Sequence, residues 1–250
     1  MVSRFGARDW GEVVNELPAG SRLLYKVLSG SHATNLVTPD SDEDWRGVYQ
    51  VPTRQILGLQ QPPETVEVPP DTTYWELAHF ARLCLRGNPN IMELLWVCPD
   101  PVGTPHPCSM VEQTSNVMDE IRTIRESFLT TSMIRSYLGW VTKERRILGG
   151  YAHMIDPQSA SATKRASHLV RLLLGLQVAL TEHRLPVYLE GEDRDLCMSL
   201  KLGEQSLIQA LFTVDILVAK CKALAEQANW PEPDPKPIED IVIRARIEML

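Results

Sequence analysis

The sequence predicts an α+β protein: a small sheet-bearing unit over residues 1–105, followed by an α-helical unit over residues 106–250. Three observations point that way. Short β-prone runs alternate with helical patterns through the first hundred or so residues, as in a small α/β unit. Residues 99–107 then hold four prolines and a glycine, the composition of a connector. Beyond them the apolar spacing is almost entirely helical.

Residues 9–17 carry Asp9, Trp10, Val13, Val14 and Leu17 at helical spacing, ended by Pro18-Ala19-Gly20. Leu23 to Leu28 is a short apolar run that reads as a buried strand, and it stops at Ser29-Gly30-Ser31. Trp45 to Val51 reads as a second strand, bounded by Pro52. Val66-Glu67-Val68 is β-prone and precedes Pro69-Pro70. From Thr73 to Arg86 the positions of Trp75, Leu77, Ala78, Phe80, Ala81 and Leu85 favour a helix closed by Gly87. Asn90 is expected to start the next, with Glu93 in the capping-box position, which makes Asn88-Pro89-Asn90 and Glu93 a structural feature. Helices are then expected over about 109–127, 131–149, 160–182, 204–228 and 238–250, with Pro231 to Pro237 as an extended connector.

Composition bounds the function. The 250 residues are 44% hydrophobic and 23% charged, a globular balance that excludes disordered and fibrous classes. The net charge of −7 gives no overall sign of a phosphate-neutralising surface. The charge is uneven, however: residues 117–187 hold 10 basic and 6 acidic side chains, against 8 and 14 before them and 7 and 12 after. Five scattered cysteines without a Cys-x-x-Cys pair suggest neither a zinc site nor a disulfide framework. Cys84 and Cys98 lie in apolar company and read as core. The start of the chain lacks the apolar core of a signal peptide, and no apolar run reaches membrane-spanning length, so a soluble cytoplasmic protein is expected.

The chemistry is concentrated in Leu28-Ser29-Gly30-Ser31-His32-Ala33-Thr34-Asn35 and in Thr38-Pro39-Asp40-Ser41-Asp42-Glu43-Asp44-Trp45-Arg46-Gly47-Val48. Asp42 and Asp44 are two apart where the chain enters a strand, which sets both carboxylates on one face. Like charges so placed repel unless a cation holds them, and Mg²⁺ takes one or two carboxylates together with substrate phosphates. Gly30 lets the backbone approach an anion closely, and Ser31 adds a hydroxyl donor beside its own N–H. Each half alone is a common surface turn; at two strand edges about ten residues apart they point to phosphoryl chemistry. Arg46 either orients Asp42 or Asp44 or balances local acid.

This string resembles the signature of the DNA polymerase beta nucleotidyltransferase superfamily. Gly-Ser-x-Ala with Thr-Pro-x-Ser-Asp-x-Asp-x-Arg-Gly-Val is similar to one branch of it, the RNA-repair-pathway DNA polymerase beta family. The similarity continues through Asp71-x-x-Tyr74-Trp75-Glu76-Leu77, through Asn88 to Leu95, and at Lys164-x-x-x-His168-x-x-Arg171-Leu172. The resemblance implies a mixed-sheet nucleotidyltransferase domain completed by a helical one. It implies Mg²⁺ (with Mn²⁺ as substitute), a nucleoside triphosphate such as ATP as substrate, and a third carboxylate on an adjacent strand. Asp71 matches by its place before the expected helix, and Glu67 is the alternative. In the implied mechanism Asp42 and Asp44 bind both metals and Asp71 assists the second, while an acceptor hydroxyl attacks the α-phosphate and pyrophosphate leaves. Asn35 departs from the family's usual glycine; Asn tolerates a left-handed backbone better than other side chains.

In the helical half, Lys164, His168 and Arg171 fall at i, i+4 and i+7 on one helix face, and Lys143, Arg145 and Arg146 lie on the helix before. Either this is a solvated amphipathic face, or it holds the triphosphate or the acceptor's phosphates. Lys164→Ala and Arg171→Ala are both expected to weaken binding with little loss of stability. The expected function is nucleoside monophosphate transfer to an acceptor hydroxyl, with an RNA or tRNA 3′ end preferred on the resemblance and a protein or small molecule left open. A catalytically silent nucleotide-binding or toxin-neutralising module and a nucleotide hydrolase are the alternatives. Oligomeric state is not legible.

Overall fold

A computed structural model describes residues 16–59, 61–97, 111–151 and 160–250. The expected helix at 9–17 lies almost wholly outside these, as do Cys98, Cys108 and the proline-rich 99–107 stretch.

A five-stranded mixed sheet comes first. Strand β1 (Arg22–Leu28) leads into a single turn of helix, α1 (Gly30–Ala33), and β2 (Trp45–Gln50) returns antiparallel beside β1, with Leu28 opposite Trp45. After a short helix α2 (Thr53–Leu57), strands β3 (Thr65–Val68) and β4 (Thr72–Glu76) form a hairpin. β4 runs parallel to β2, with Trp45 beside Thr72. Strand β5 (Val111–Gln113) pairs antiparallel with β1 and gives the order β3-β4-β2-β1-β5. The sheet followed by helices is an α+β fold, as expected from the sequence.

Two expectations fail here for physical reasons. The helix assigned from Thr73 starts only at Leu77, because Thr72–Glu76 is a strand. Tyr74 packs into one apolar cluster and Trp75 against the other, so the strand has apolar residues on both faces and mimics a continuing helix. The helix assigned over 109–127 splits into β5 and a helix that starts at Asn116.

The main core lies on the face of the sheet covered by helices. Helices α3 (Leu77–Leu85), α4 (Pro89–Trp96) and α5 (Asn116–Thr123) bury Leu77, Phe80, Leu94, Leu95, Met118 and Ile121 against Leu24 and Val48. Asn88 caps α4, accepting from the Asn90 N–H at 3.1 Å, with Pro89 at the first helical position. Glu93 therefore does not serve a capping box; its role is described below.

Helices α6 (Thr131–Tyr151), α7 (Ala160–Glu182), α8 (Gly191–Lys201) and α9 (Leu207–Glu226) form the helical part. α7 is its centre, packed by α6, α8 and α9, and Ala166, Leu169, Leu172, Leu173 and Leu176 are buried along it. The sequence reading had no α8. α10 (Lys236–Ile247) turns back onto α3 and α5. Its end meets the sheet: Gln50 Nε2 donates to the Ala245 carbonyl at 2.7 Å, and Arg246 pairs with Glu76 at 2.5 Å, both side chains largely buried. Among the described residues no helix is long and apolar enough to cross a membrane.

Candidate functional site

The topology brings three chain segments to one edge of the sheet. β1 ends there, while β2 and β4, being parallel to each other and antiparallel to β1, both begin there. Two backbone hydrogen bonds hold the edge together: Ser29 N–H donates to the Asp44 carbonyl at 2.8 Å, and Trp45 N–H donates to the Asp71 carbonyl at 2.9 Å. The residues that precede β2 and β4 are thus forced side by side. Asp71 is the carboxylate that this geometry sets beside Asp44. Glu67 sits one strand further out, on β3, opposite Thr73.

Asp44 lies against the turn after β1. A Cβ built on Gly30 would stand 1.9 Å from Asp44 Oδ2, and Gly30 has φ of +60°, so both space and backbone conformation demand glycine. When Asp44 is protonated it can donate to Asp71, an interaction that pushes the two pKa values apart. Burial raises the Asp44 pKa to about 6, helped by the hydrogen bond and charge of Asp71 and by the charge of Asp42, against Arg46. Asp71 is held below the usual carboxylate range, first by that same hydrogen bond and further by Arg46 and Lys164. Arg46 spans the pair, 3.5 Å from Asp44 Oδ1 and 3.3 Å from Asp71 Oδ1. It therefore orients the carboxylates and offsets part of their charge.

Asp42 is exposed and does not line the cleft, although its charge acts on both Asp44 and Lys201. The acidic segment is set by a turn in which Thr38 N–H donates to Ser41 Oγ at 2.9 Å and Ser41 N–H donates to the Thr38 carbonyl at 3.0 Å. Among the described residues no cluster of three His, Cys, Asp or Glu side chains is already gathered as a metal cage. The donor set nevertheless suits a divalent cation: two abutting carboxylates that one arginine leaves short of neutral, oxygen ligands throughout, and a cleft open to phosphates.

Asp44 and Gly30-Ser31 form one wall of a cleft of about 240 Å³, and Lys164, His168 and Arg171 of α7 form the opposite one. The three α7 residues do share a face, but they differ in kind. Lys164 is exposed. Arg171 is buried, 2.8 Å from Glu93 of α4. Arg171 also lies 2.9 Å from His168 Nδ1, and since arginine only donates, Nδ1 must accept and the ring proton sits on Nε2. Burial, with the Arg171 charge, lowers the His168 pKa to about 3, so this ring is neutral. The expectation that Arg171 could be removed without loss of stability is thereby corrected: its loss would leave Glu93 buried without its cation. Lys143 is exposed on α6 and does not line the cleft.

Two residues that the sequence reading missed belong to the site. Glu93 lines the cleft as the partner of Arg171. Lys201, the last residue of α8, donates to Ser31 Oγ at 2.9 Å and to the Leu36 carbonyl at 2.5 Å. Asn35 adopts the left-handed conformation, φ +61°, that a glycine would adopt, and its Nδ2 donates to the Leu189 carbonyl at 2.9 Å. An unrecognised α8 hid Lys201; Glu93 could have been found by asking which acid faces the α7 cations.

No solved structure matches the chain. The uncharacterized protein YcgL of Bacillus subtilis (strain 168) is 32% identical over 85 residues, a stretch that spans 32% of this chain and 32% of that protein. A family model matches residues 9–211, which takes in the sheet, the carboxylates, α7 and α8. The chain belongs to the RNA repair pathway DNA polymerase beta family, and so to the polymerase beta-like nucleotidyltransferases.

Proposed function

We propose that this protein transfers a nucleoside monophosphate from a nucleoside triphosphate to an acceptor hydroxyl, and that the acceptor is an RNA or tRNA 3′ end. The observation that carries the reading is the Asp44–Asp71 pair at the starts of two parallel strands, bridged by Arg46 and set against a glycine-serine turn. Asp44 and Asp71, with Asp42 moving in from its exposed position, would hold Mg²⁺ (or Mn²⁺). When bound, the ion would neutralise phosphate charge and lower the pKa of the attacking hydroxyl. Below about pH 6, Asp44 must first release its proton. Gly30-Ser31 offers N–H and hydroxyl donors to the terminal phosphates, and Lys164 brings positive charge from the opposite wall. Asp71, which its lowered pKa keeps ionised and able to accept, takes the proton from the acceptor hydroxyl as that oxygen attacks the α-phosphate, the bond to the β-phosphate breaks and pyrophosphate leaves. The acceptor class rests on the family's RNA-repair association and on the basic residues concentrated between 117 and 187.

The test is incubation with each labelled nucleoside triphosphate, Mg²⁺ or Mn²⁺, and separate RNA, tRNA and protein acceptors, beside an Asp42→Ala/Asp44→Ala control. Label on the RNA 3′ end that disappears in the control is the expected result. Label on protein would replace the acceptor, phosphate release alone would make the protein a hydrolase, and tight nucleotide binding with neither would make it a silent binding module.

A further inference from the structure

We infer that Lys201 is a triphosphate-binding residue that also fixes the Ser31 hydroxyl as a phosphate donor; the inference rests on the nucleotidyltransferase reading and extends it to the face that receives the β- and γ-phosphates. The argument is donor accounting. A lysine ammonium has three donors and no acceptor. Two of the three are committed, to Ser31 Oγ and to the Leu36 carbonyl. The Ser31 oxygen therefore accepts from Lys201, and its own hydrogen must be given elsewhere. Among the described residues that hydroxyl donates to nothing, nor does the third Lys201 donor, and both residues line the cleft. Two donors with no acceptor of their own, one of them charged, face a space also reached by Lys164, whose charge helps to lower the Lys201 pKa. Two ammonium groups brought together with a directed hydroxyl make a site for a polyanion.

The turn itself is held from the helical side. Besides Lys201, the Asn35 side chain donates to the Leu189 carbonyl, Leu189 N–H donates to the Thr34 carbonyl at 3.3 Å, and Arg194 Nε donates to the Asn35 carbonyl at 3.1 Å. Asn35 thus ties the phosphate turn to the segment that carries Lys201. Residues 189–201 therefore complete the phosphate site physically.

The probe is inorganic tripolyphosphate with Mg²⁺, which avoids any dependence on base, compared by calorimetry with a nucleoside monophosphate. Lys201→Met should weaken tripolyphosphate binding about tenfold or more, the size of a lost charge-assisted hydrogen bond, and leave monophosphate binding within about twofold. Lys201→Gln keeps a donor for Ser31 and Leu36 without the charge, guards against a folding defect, and should fall between the two. Ser31→Ala combined with Lys201→Met should cost less than the product of the single losses, because the two act partly through one hydroxyl. Equal losses for both ligands in a variant with a lowered melting temperature would reduce Lys201 to a structural tie and overturn the inference. Wild-type binding that Lys201→Met leaves unchanged would also overturn it while sparing the proposed function. No binding by the wild-type protein would remove both.

Discussion

The two ends of the parallel strand pair β2 and β4 are built from the same materials and left in opposite states. At the far end, Glu76 closes β4, caps α3 through the Ala78 N–H, and pairs with Arg246 of the last helix. One acid meets one base, both largely buried. At the near end, Asp44 and Asp71 meet a single arginine, with Asp42 adding a third negative charge from outside. Burial and that excess together raise the Asp44 pKa to about 6. A fold that neutralises one end and leaves the other short of a cation has placed its instability where a divalent ion would relieve it.

Five substitutions and a change of pH can break or sharpen this contrast. The largest effect should come from Asp44→Asn. Transfer should fall by about 10³-fold or more, the order seen when a transition-state electrostatic group is removed. Metal-free stability should be unchanged or higher by about 1 kcal/mol, because a repelled, half-buried charge is gone. Steady-state rates and urea melts on one preparation read both. Glu76→Gln should do the reverse: it should destabilise by about 3 kcal/mol, the cost of breaking a buried pair, while the folded fraction keeps its turnover. Arg171→Ala belongs with Glu76→Gln in stability, at about 3 kcal/mol, and differs from Lys164→Ala, which should cost under about 0.5 kcal/mol yet weaken nucleotide binding. Gly30→Ala should cost about 1–2 kcal/mol in melts and most of the activity, since the new methyl would occupy the place of Asp44 Oδ2.

The smallest effect is in pH. A cation must displace the proton on Asp44, so Mg²⁺ affinity by calorimetry should drop by up to about tenfold per unit below about pH 6 and level off above it. In the metal-free protein Asp44 has a raised folded pKa. Its stabilising contribution is present below the unfolded value of 3.8 and is lost as pH rises to about 6. Asp71, lowered, works in the opposite sense and loses its contribution as pH falls through its folded value. An affinity flat from pH 5 to 8 would mean that the pair holds no proton for a metal to displace.

The contrast between the ends was half legible in the sequence. Asp42, Asp44 and the glycine-serine turn stood out because two local patterns flanked strand edges, and the β1 and β2 runs were apolar enough to read. Asp71 came only through the resemblance: β4 looked like the start of a helix, with Tyr74 and Trp75 both apolar and on opposite faces. Lys201 was invisible for a related reason. Helix α8 opens Gly-Glu-Asp-Arg-Asp and crowds its apolar residues into Leu196, Cys197, Met198 and Leu200, a run too short to show a helical period. Glu93 and Arg171 each looked ordinary in sequence, as a cap and as a surface cation, and only their separation of 2.8 Å in space makes them a buried pair. Long-range pairings of this kind have no local signal. Neither does the closure of the far end by Arg246, 170 residues from Glu76.

The most direct test of the unbalanced end is the amount of Mn²⁺ bound per chain at pH 7.5, measured by electron paramagnetic resonance on the wild-type protein and on Asp44→Asn and Glu76→Gln. The wild-type and Glu76→Gln proteins should bind the ion and Asp44→Asn should not. Equal binding by Asp44→Asn, or none by the wild type, would contradict the account.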